Sequence, residues 1–129
     1  MEASNEILKE SYKPGDYIFF EGDIENHFYI VETGKVQIFT KNKAGGRLDI
    51  AVVEEGESFG EFAMLSKEPR SASAQAITEC TLVKVSDQGY QHLLEELPVW
   101  ASCMLKSFAS RLKNMNHLLK DAPQFLAKK

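Results

Sequence analysis

The residues with the most chemical content fall in one stretch. Gly56-Glu57-Ser58-Phe59-Gly60-Glu61-Phe62-Ala63-Met64-Leu65 is continued by Ser66-Lys67-Glu68-Pro69-Arg70-Ser71-Ala72-Ser73-Ala74. Gly60 permits a positive φ or a close backbone approach. Residues 61–65 are good helix formers, so the sequence predicts a single helical turn after Gly60, whose free N–H groups form an anion site. Nine residues beyond Glu61 stands Arg70, whose planar guanidinium grips a phosphate through two parallel hydrogen bonds. The amides of Ser71 and Ala72, with the Ser71 hydroxyl, complete the expected cradle. Glu61 is the odd member. A carboxylate beside a phosphate repels it unless the ligand brings a donor, and a ribose 2′-hydroxyl is such a donor. One Arg, an amide cradle and one carboxylate therefore suit a singly charged sugar phosphate, such as a cyclic phosphodiester, better than inorganic phosphate or a triphosphate. Each piece alone has a plainer reading: Gly-Glu is usually a turn, and a lone Arg is usually solvated or ion-paired.

The elements that must position these residues read as short strands. Lys13-Pro14-Gly15-Asp16 and Glu21-Gly22-Asp23 are turn chemistry flanking Tyr17-Ile18-Phe19-Phe20. Phe28-Tyr29-Ile30-Val31 is closed by Thr33-Gly34. Val36, Ile38 and Thr40 alternate up to a hairpin loop at Ala44-Gly45-Gly46, and Leu48, Ile50 and Val52 continue the alternation. Further strands are expected over Ser71–Ala76 and Thr81–Ser86. Strands separated by glycine-centred turns predict an antiparallel sandwich or barrel. A short helix capped by Ser4 is expected over Ser4–Glu10. After Ser86 the period becomes helical. Asp87 caps a short helix containing Tyr90, Leu93 and Leu94, and Pro98 opens a longer one running to about Asp121, before Ala122-Pro123. In it Ala101, Leu105, Phe108, Leu112, Met115 and Leu119 recur at spacings of four and three. Such a stripe either packs on the barrel or forms a dimer seam. Trp100 is expected to anchor the helix by packing.

The stretch and its framework together carry a resemblance. Gly22-Asp23, Phe28-Tyr29-Ile30-Val31 followed by Gly34, Gly56, and the Phe59-Gly60-Glu61…Pro69-Arg70-Ser71-Ala72-Ser73 run resemble the cyclic nucleotide-binding domain family. That family includes the bacterial cAMP receptor protein, the protein kinase A regulatory subunit and cyclic-nucleotide-gated channels. The resemblance covers residues 13 to 94. It implies a mainly β fold with flanking helices (α+β): an antiparallel jelly-roll-like β-barrel, a short phosphate-cassette helix and a C-terminal lid or dimer helix. One domain is expected over residues 1–129, with the barrel at about 13–86 and helices at about 87–121. The ligand-binding set implied is Gly60, Glu61, Phe62, Ala63, Arg70, Ser71 and Ala72, with Ile38 and Ile50 against the base. Arg70 would bind the exocyclic phosphate oxygens and Glu61 the ribose 2′-hydroxyl. The ligand is cAMP or cGMP, with cAMP favoured, and no other cofactor is implied.

Composition bounds the remainder. A chain of 129 residues, 43% hydrophobic and 26% charged, is one soluble domain's worth. A net charge of -4 argues against general nucleic-acid affinity, and the segment after Leu119 is too short for a helix-turn-helix, so no direct DNA binding is expected. No signal-like or membrane-length apolar run occurs, and Cys80 and Cys103 have no metal or disulfide spacing. Buried free thiols in a reducing cytoplasm are the expectation. His27, His92 and His117 are too scattered for a metal site and read as surface or cap residues. No nucleophile–base pair or carboxylate pair is placed for catalysis, so an enzyme is not expected. The expected function is a cyclic nucleotide sensor that transmits binding through its C-terminal helix, with a homodimer through Pro98–Leu119 as an associated partner state. The alternatives are a ligand-less interaction domain and the sensory part of a cAMP-receptor-type transcription regulator.

Overall fold

Eight strands and three helices make up the computed structural model, which describes residues 7–121. In chain order they are β1 (Ile7–Tyr12), β2 (Tyr17–Phe19), β3 (His27–Thr33), β4 (Val36–Lys41), β5 (Arg47–Val53), β6 (Ser58–Phe59), α1 (Glu61–Ser66), β7 (Ser73–Ala76), β8 (Cys80–Ser86), α2 (Asp87–Glu95) and α3 (Val99–Asp121). The chain divides after Tyr90 into two compact units.

The first unit holds two four-stranded antiparallel sheets, ordered β1-β8-β3-β6 and β2-β7-β4-β5. The expected mainly β, α+β fold is therefore present. One detail differs: the two sheets are not closed into a barrel. Their edges explain it. β2 has three residues and β6 two, too few to carry a ladder from one sheet to the other, and such short edges also discourage pairing with other chains.

Between the sheets lies a core of Phe19, Tyr29, Val31, Val36, Val53, Phe59, Ala74, Ala76, Cys80 and Leu82. Tyr29 stacks on Phe59 at 5.2 Å between ring centroids, and Phe19 lies 5.9 Å from each of them. These three rings come from three strands, so they tie β2, β3 and β6 together directly beneath Gly60. The turn between β3 and β4 has no room for a side chain. Gly34 has φ 98°, and a Cβ there would sit 2.3 Å from the carbonyl oxygen of Glu79.

The expected strands and helices fall close to where the sequence pattern put them, with five differences, one being that β7 begins at Ser73 rather than Ser71. Residues 7–10 are not helical: they form β1, because Ile7 to Tyr12 pairs in register with Val85 to Cys80, and that pairing overrides a weak local propensity. Ser4 lies outside the described residues. β6 has no counterpart in the expectation, since two residues are too short to show a period. His27 is a strand residue rather than part of a turn or cap. Cys80 is buried as expected, but Cys103 is exposed on α3.

In the second unit α3 runs for 23 residues. Of the heptad stripe, Leu105, Phe108 and Met115 are exposed, while Ala101 and Leu112 are half-buried. The side chain of Leu119 lies outside the described ones. Trp100, expected as a packing anchor, keeps 69% of its surface exposed. No helix among the described residues is long and apolar enough to cross a membrane.

Candidate functional site

Gly60 is the pivot of the site. Core burial of Phe59 ends β6, and the chain then turns through Gly60 at φ 85° into α1. A side chain there would force a shift: a Cβ would lie 2.8 Å from Nη1 of Arg70. α1 has six residues and no side-chain cap. So short a helix adds little dipole, and the electrostatic weight of the site falls on Arg70.

Arg70 is held from every side, although only 3% of its surface is exposed. Its backbone N–H donates to the carbonyl of Asp23 at 2.8 Å, and its own carbonyl accepts from the N–H of Gly22 at 2.8 Å. The Gly22-Asp23 turn thus clamps the arginine backbone. That turn is itself fixed by the Asp23 carboxylate, which accepts from the Phe20 N–H at 2.9 Å. At the other end, Nη1 donates to the Gly60 carbonyl at 2.9 Å and Nη2 to the His27 carbonyl at 2.8 Å. The guanidinium carbon lies 4.0 Å from the centre of the Phe19 ring, a cation–π arrangement.

Among the described residues one loose ion pair, to Glu25, compensates this cation. The nearest carboxylate oxygen, Oε1 of Glu25, is 3.7 Å from Nη2, beyond hydrogen-bond distance. Nε of Arg70 and Oε1 of Glu25 are both buried without a hydrogen-bond partner. Burial pushes the guanidinium below its ordinary value, with Tyr29 and Glu25 pulling in the opposite direction. Arginine nevertheless stays charged in proteins. A desolvated cation with unmet donors is costly unless an anion completes it. Of its five N–H donors, two are committed to carbonyls, so the group is aimed without being used up.

Around Arg70 is a cavity of about 220 Å³, lined by Phe19, Ile38, Ser58, Phe59, Gly60, Glu61, Phe62, Ala63, Arg70, Ser71 and Ala72. The structure therefore brings together Gly60, Glu61, Phe62, Ala63, Arg70, Ser71, Ala72 and Ile38. It does not bring Ile50 to the cavity wall: that side chain is 56% exposed on β5. The β4–β5 register shifts between Ile38 and Phe39, where Ile38 faces Ala51 and Phe39 faces Asp49. Ile50 falls in that irregularity, which simple alternation does not reveal. Ser73, the last residue of the matched run, does not line the cavity either. It is buried, and its Oγ accepts from the Glu21 N–H at 2.8 Å.

The residues that sequence reasoning missed are those that hold the site together. The carbonyl of His27 is one. Burial, reinforced by Lys84, holds the His27 imidazole below its ordinary value, and its Nδ1 is buried without a partner. Phe19, which faces the guanidinium, carries no sequence signal beyond aromatic character. Gly22 and Asp23 are visible in the sequence as a turn, though not as the clamp on Arg70. Among the described residues no cluster of His, Cys, Asp or Glu could hold a metal ion.

Comparison with known proteins gives the family. Residues 9–96 match the family model described as the cyclic nucleotide-binding domain. The chain is 34% identical over 111 residues to the cyclic AMP receptor protein of Thermus thermophilus, covering 86% of this chain and 51% of that protein. It is 36% identical over 90 residues to the human potassium/sodium hyperpolarization-activated cyclic nucleotide-gated channel 2, covering 70% of this chain and 10% of that one. It superposes on the crystal structure of the Thermus thermophilus catabolite activator protein with a TM-score of 0.73 and 30% identity, over 94% of this chain and 57% of that one. This chain thus spans about half the length of the first of these relatives and a tenth of the second. The match takes in the Gly22-Asp23 turn, the Gly60 pivot and Arg70, and the chain belongs to the cyclic nucleotide-binding domain family.

Proposed function

We propose that this domain is a sensor of a cyclic nucleotide monophosphate, with cAMP preferred over cGMP. The observation that carries the reading is Arg70, a buried guanidinium fixed by two backbone carbonyls and left with unmet donors beside a cavity. An anionic phosphodiester meets those donors. Glu61, half-buried on the same wall, accepts the ribose 2′-hydroxyl, while the amides near Gly60, Phe62, Ala63, Ser71 and Ala72 contact the phosphate. Ile38 faces the base. The preference for cAMP rests on the name of the Thermus thermophilus relative, a cyclic AMP receptor protein. Ser71 discriminates little, because a hydroxyl after the arginine serves either base.

The reaction is binding rather than catalysis, and the output is conformational. Ligand stabilises one arrangement of the cassette over another, and only such differential affinity moves an equilibrium. α3 carries the change onward and pairs with a second copy of the chain. Exposed Leu105, Phe108 and Met115 at heptad spacing support that role. Both cysteines are free, in keeping with a reducing cytoplasm.

Thermal unfolding with cAMP, cGMP and 5′-AMP tests the reading. At one hundred times its Kd a ligand adds about 2.7 kcal/mol of stability, so cAMP should raise the Tm strongly and 5′-AMP hardly at all. The absence of a shift with either cyclic nucleotide rules the reading out. Sedimentation at several concentrations tests the pairing, which Leu112→Glu should abolish.

A further inference from the structure

The cavity wall contains a polar residue that the proposed ligand contacts do not use. Ser58 lines the cavity beside Glu61, and its Oγ donates a hydrogen bond to Oε2 of the Glu61 carboxylate. We propose that Ser58 is the positioning residue for Glu61, holding that carboxylate in the orientation that receives a ribose 2′-hydroxyl. This deepens the cyclic nucleotide reading above and rests on it.

Three observations support a positioning role over a merely structural one. Ser58 and Glu61 have the spacing of a helix capping box, yet the residue in the cap position is Gly60, and no side chain caps the helix. The Ser58 hydroxyl is thus spent on the carboxylate, not on the backbone of α1. Its own place is fixed, because Ser58 pairs with Ile30 across the sheet while adjacent Phe59 is locked into the aromatic core. Glu61 lies beyond the Gly60 turn and has a long side chain with many rotamers. A half-exposed carboxylate of this kind is otherwise free to face solvent.

Chemistry assigns the two carboxylate oxygens different tasks. Oε2 accepts from Ser58, so Oε1 remains the acceptor for an incoming hydroxyl. The hydroxyl of Ser58 is neutral and short, and it orients Glu61 without adding charge beside Arg70. Its effect is confined to ligands that carry a 2′-hydroxyl. Fixing one flexible side chain before the ligand arrives lowers the ordering cost of binding, which corresponds to an affinity change of about two- to tenfold.

The test compares calorimetric Kd values for cAMP and 2′-deoxy-cAMP in wild type, Ser58→Ala, Ser58→Thr, Glu61→Ala and the Ser58→Ala/Glu61→Ala double variant. Ser58→Ala should weaken cAMP about two- to tenfold and lower the ratio of the 2′-deoxy-cAMP Kd to the cAMP Kd by the same factor. Ser58→Thr, which keeps the hydroxyl, should restore both. In the Glu61→Ala background the Ser58 substitution should have no further effect. Equal weakening of both ligands by Ser58→Ala, or no weakening of either, overturns the positioning role while leaving the sensor reading intact. Wild type that binds neither ligand overturns the sensor reading and this inference with it.

Discussion

The side of the cavity proposed to take the phosphate and the side proposed to take the base are built differently. On the phosphate side Arg70 is 3% exposed, hydrogen-bonded at both Nη atoms and clamped along its backbone by the Gly22-Asp23 turn. On the base side, Ile38 reaches the wall from β4, whereas Leu48, Ile50 and Val52 of edge strand β5 are all more than two-fifths exposed. One side is closely hydrogen-bonded, and the other is open. Preorganised donors cost little to engage, so the phosphate side should supply most of the affinity. The open side should contribute weakly and discriminate poorly between bases.

Substitutions can break that contrast, and the largest effect belongs to Arg70. Arg70→Lys keeps a positive charge but replaces a rigid fork with a point charge that cannot span the Gly60 and His27 carbonyls. Calorimetry should show cAMP affinity falling by at least about thirtyfold, as expected when a buried charged partner is lost. Retention of full affinity would place the anion elsewhere. Next comes Glu61→Ala. Losing a hydrogen bond to a charged group is worth about 1.5–3 kcal/mol, so cAMP should bind about ten- to a hundredfold more weakly, with 2′-deoxy-cAMP much less affected.

Gly60→Ala acts on the same side through the backbone. A left-handed conformation costs a residue with a Cβ about 1–2 kcal/mol. The new methyl would also meet Arg70 Nη1 at 2.8 Å. Denaturant unfolding should show that loss of stability, with weaker cAMP binding beside it. On the base side the effects should be small and ranked. Ile38→Ala should lower affinity a few-fold, and Ile50→Ala should leave it within about twofold, since that side chain is already in water. An Ile50 effect as large as that of Arg70 would erase the contrast.

The smallest effect is one of pH. Burial holds His27 below its ordinary value of 6.5, so the folded chain favours the neutral imidazole. Unfolding restores the ordinary value, and below pH 6.5 the unfolded chain therefore binds more protons. The stability contributed by neutral His27 is full above pH 6.5 and is lost as the pH falls from there through the lowered folded value. Denaturant midpoints measured across pH 7.5 to 5 should decline, and His27→Gln should flatten that slope.

The same contrast separates the features that a sequence reveals from those it hides. Arg70, Glu61 and Gly60 stand out only jointly, within a glycine-and-strand framework that resembles the family, and the strands are legible from alternation. Ile50, which the resemblance puts against the base, is exposed beside a register irregularity between β4 and β5 that alternation does not show. Local propensity favours a helix at the residues of β1, because the partner that makes them a strand, β8, is far away along the chain. The carbonyls of Gly60 and His27, the actual acceptors for Arg70, are backbone atoms common to every residue. No side-chain pattern marks them. Ser58 is different, since its spacing from Glu61 matches a capping box, but only the structure shows the hydroxyl on the carboxylate rather than on the helix backbone.

The central claim is that buried Arg70 receives the anion of a cyclic nucleotide. Side-chain nitrogen NMR of the arginine Nε–H groups during a cAMP titration tests it most directly, because Nε of Arg70 is buried and has no protein hydrogen-bond partner. The Arg70 resonance should shift saturably with one-site stoichiometry, at the same concentrations that raise the Tm. Saturable cAMP binding that leaves the Arg70 resonance unmoved would contradict the claim.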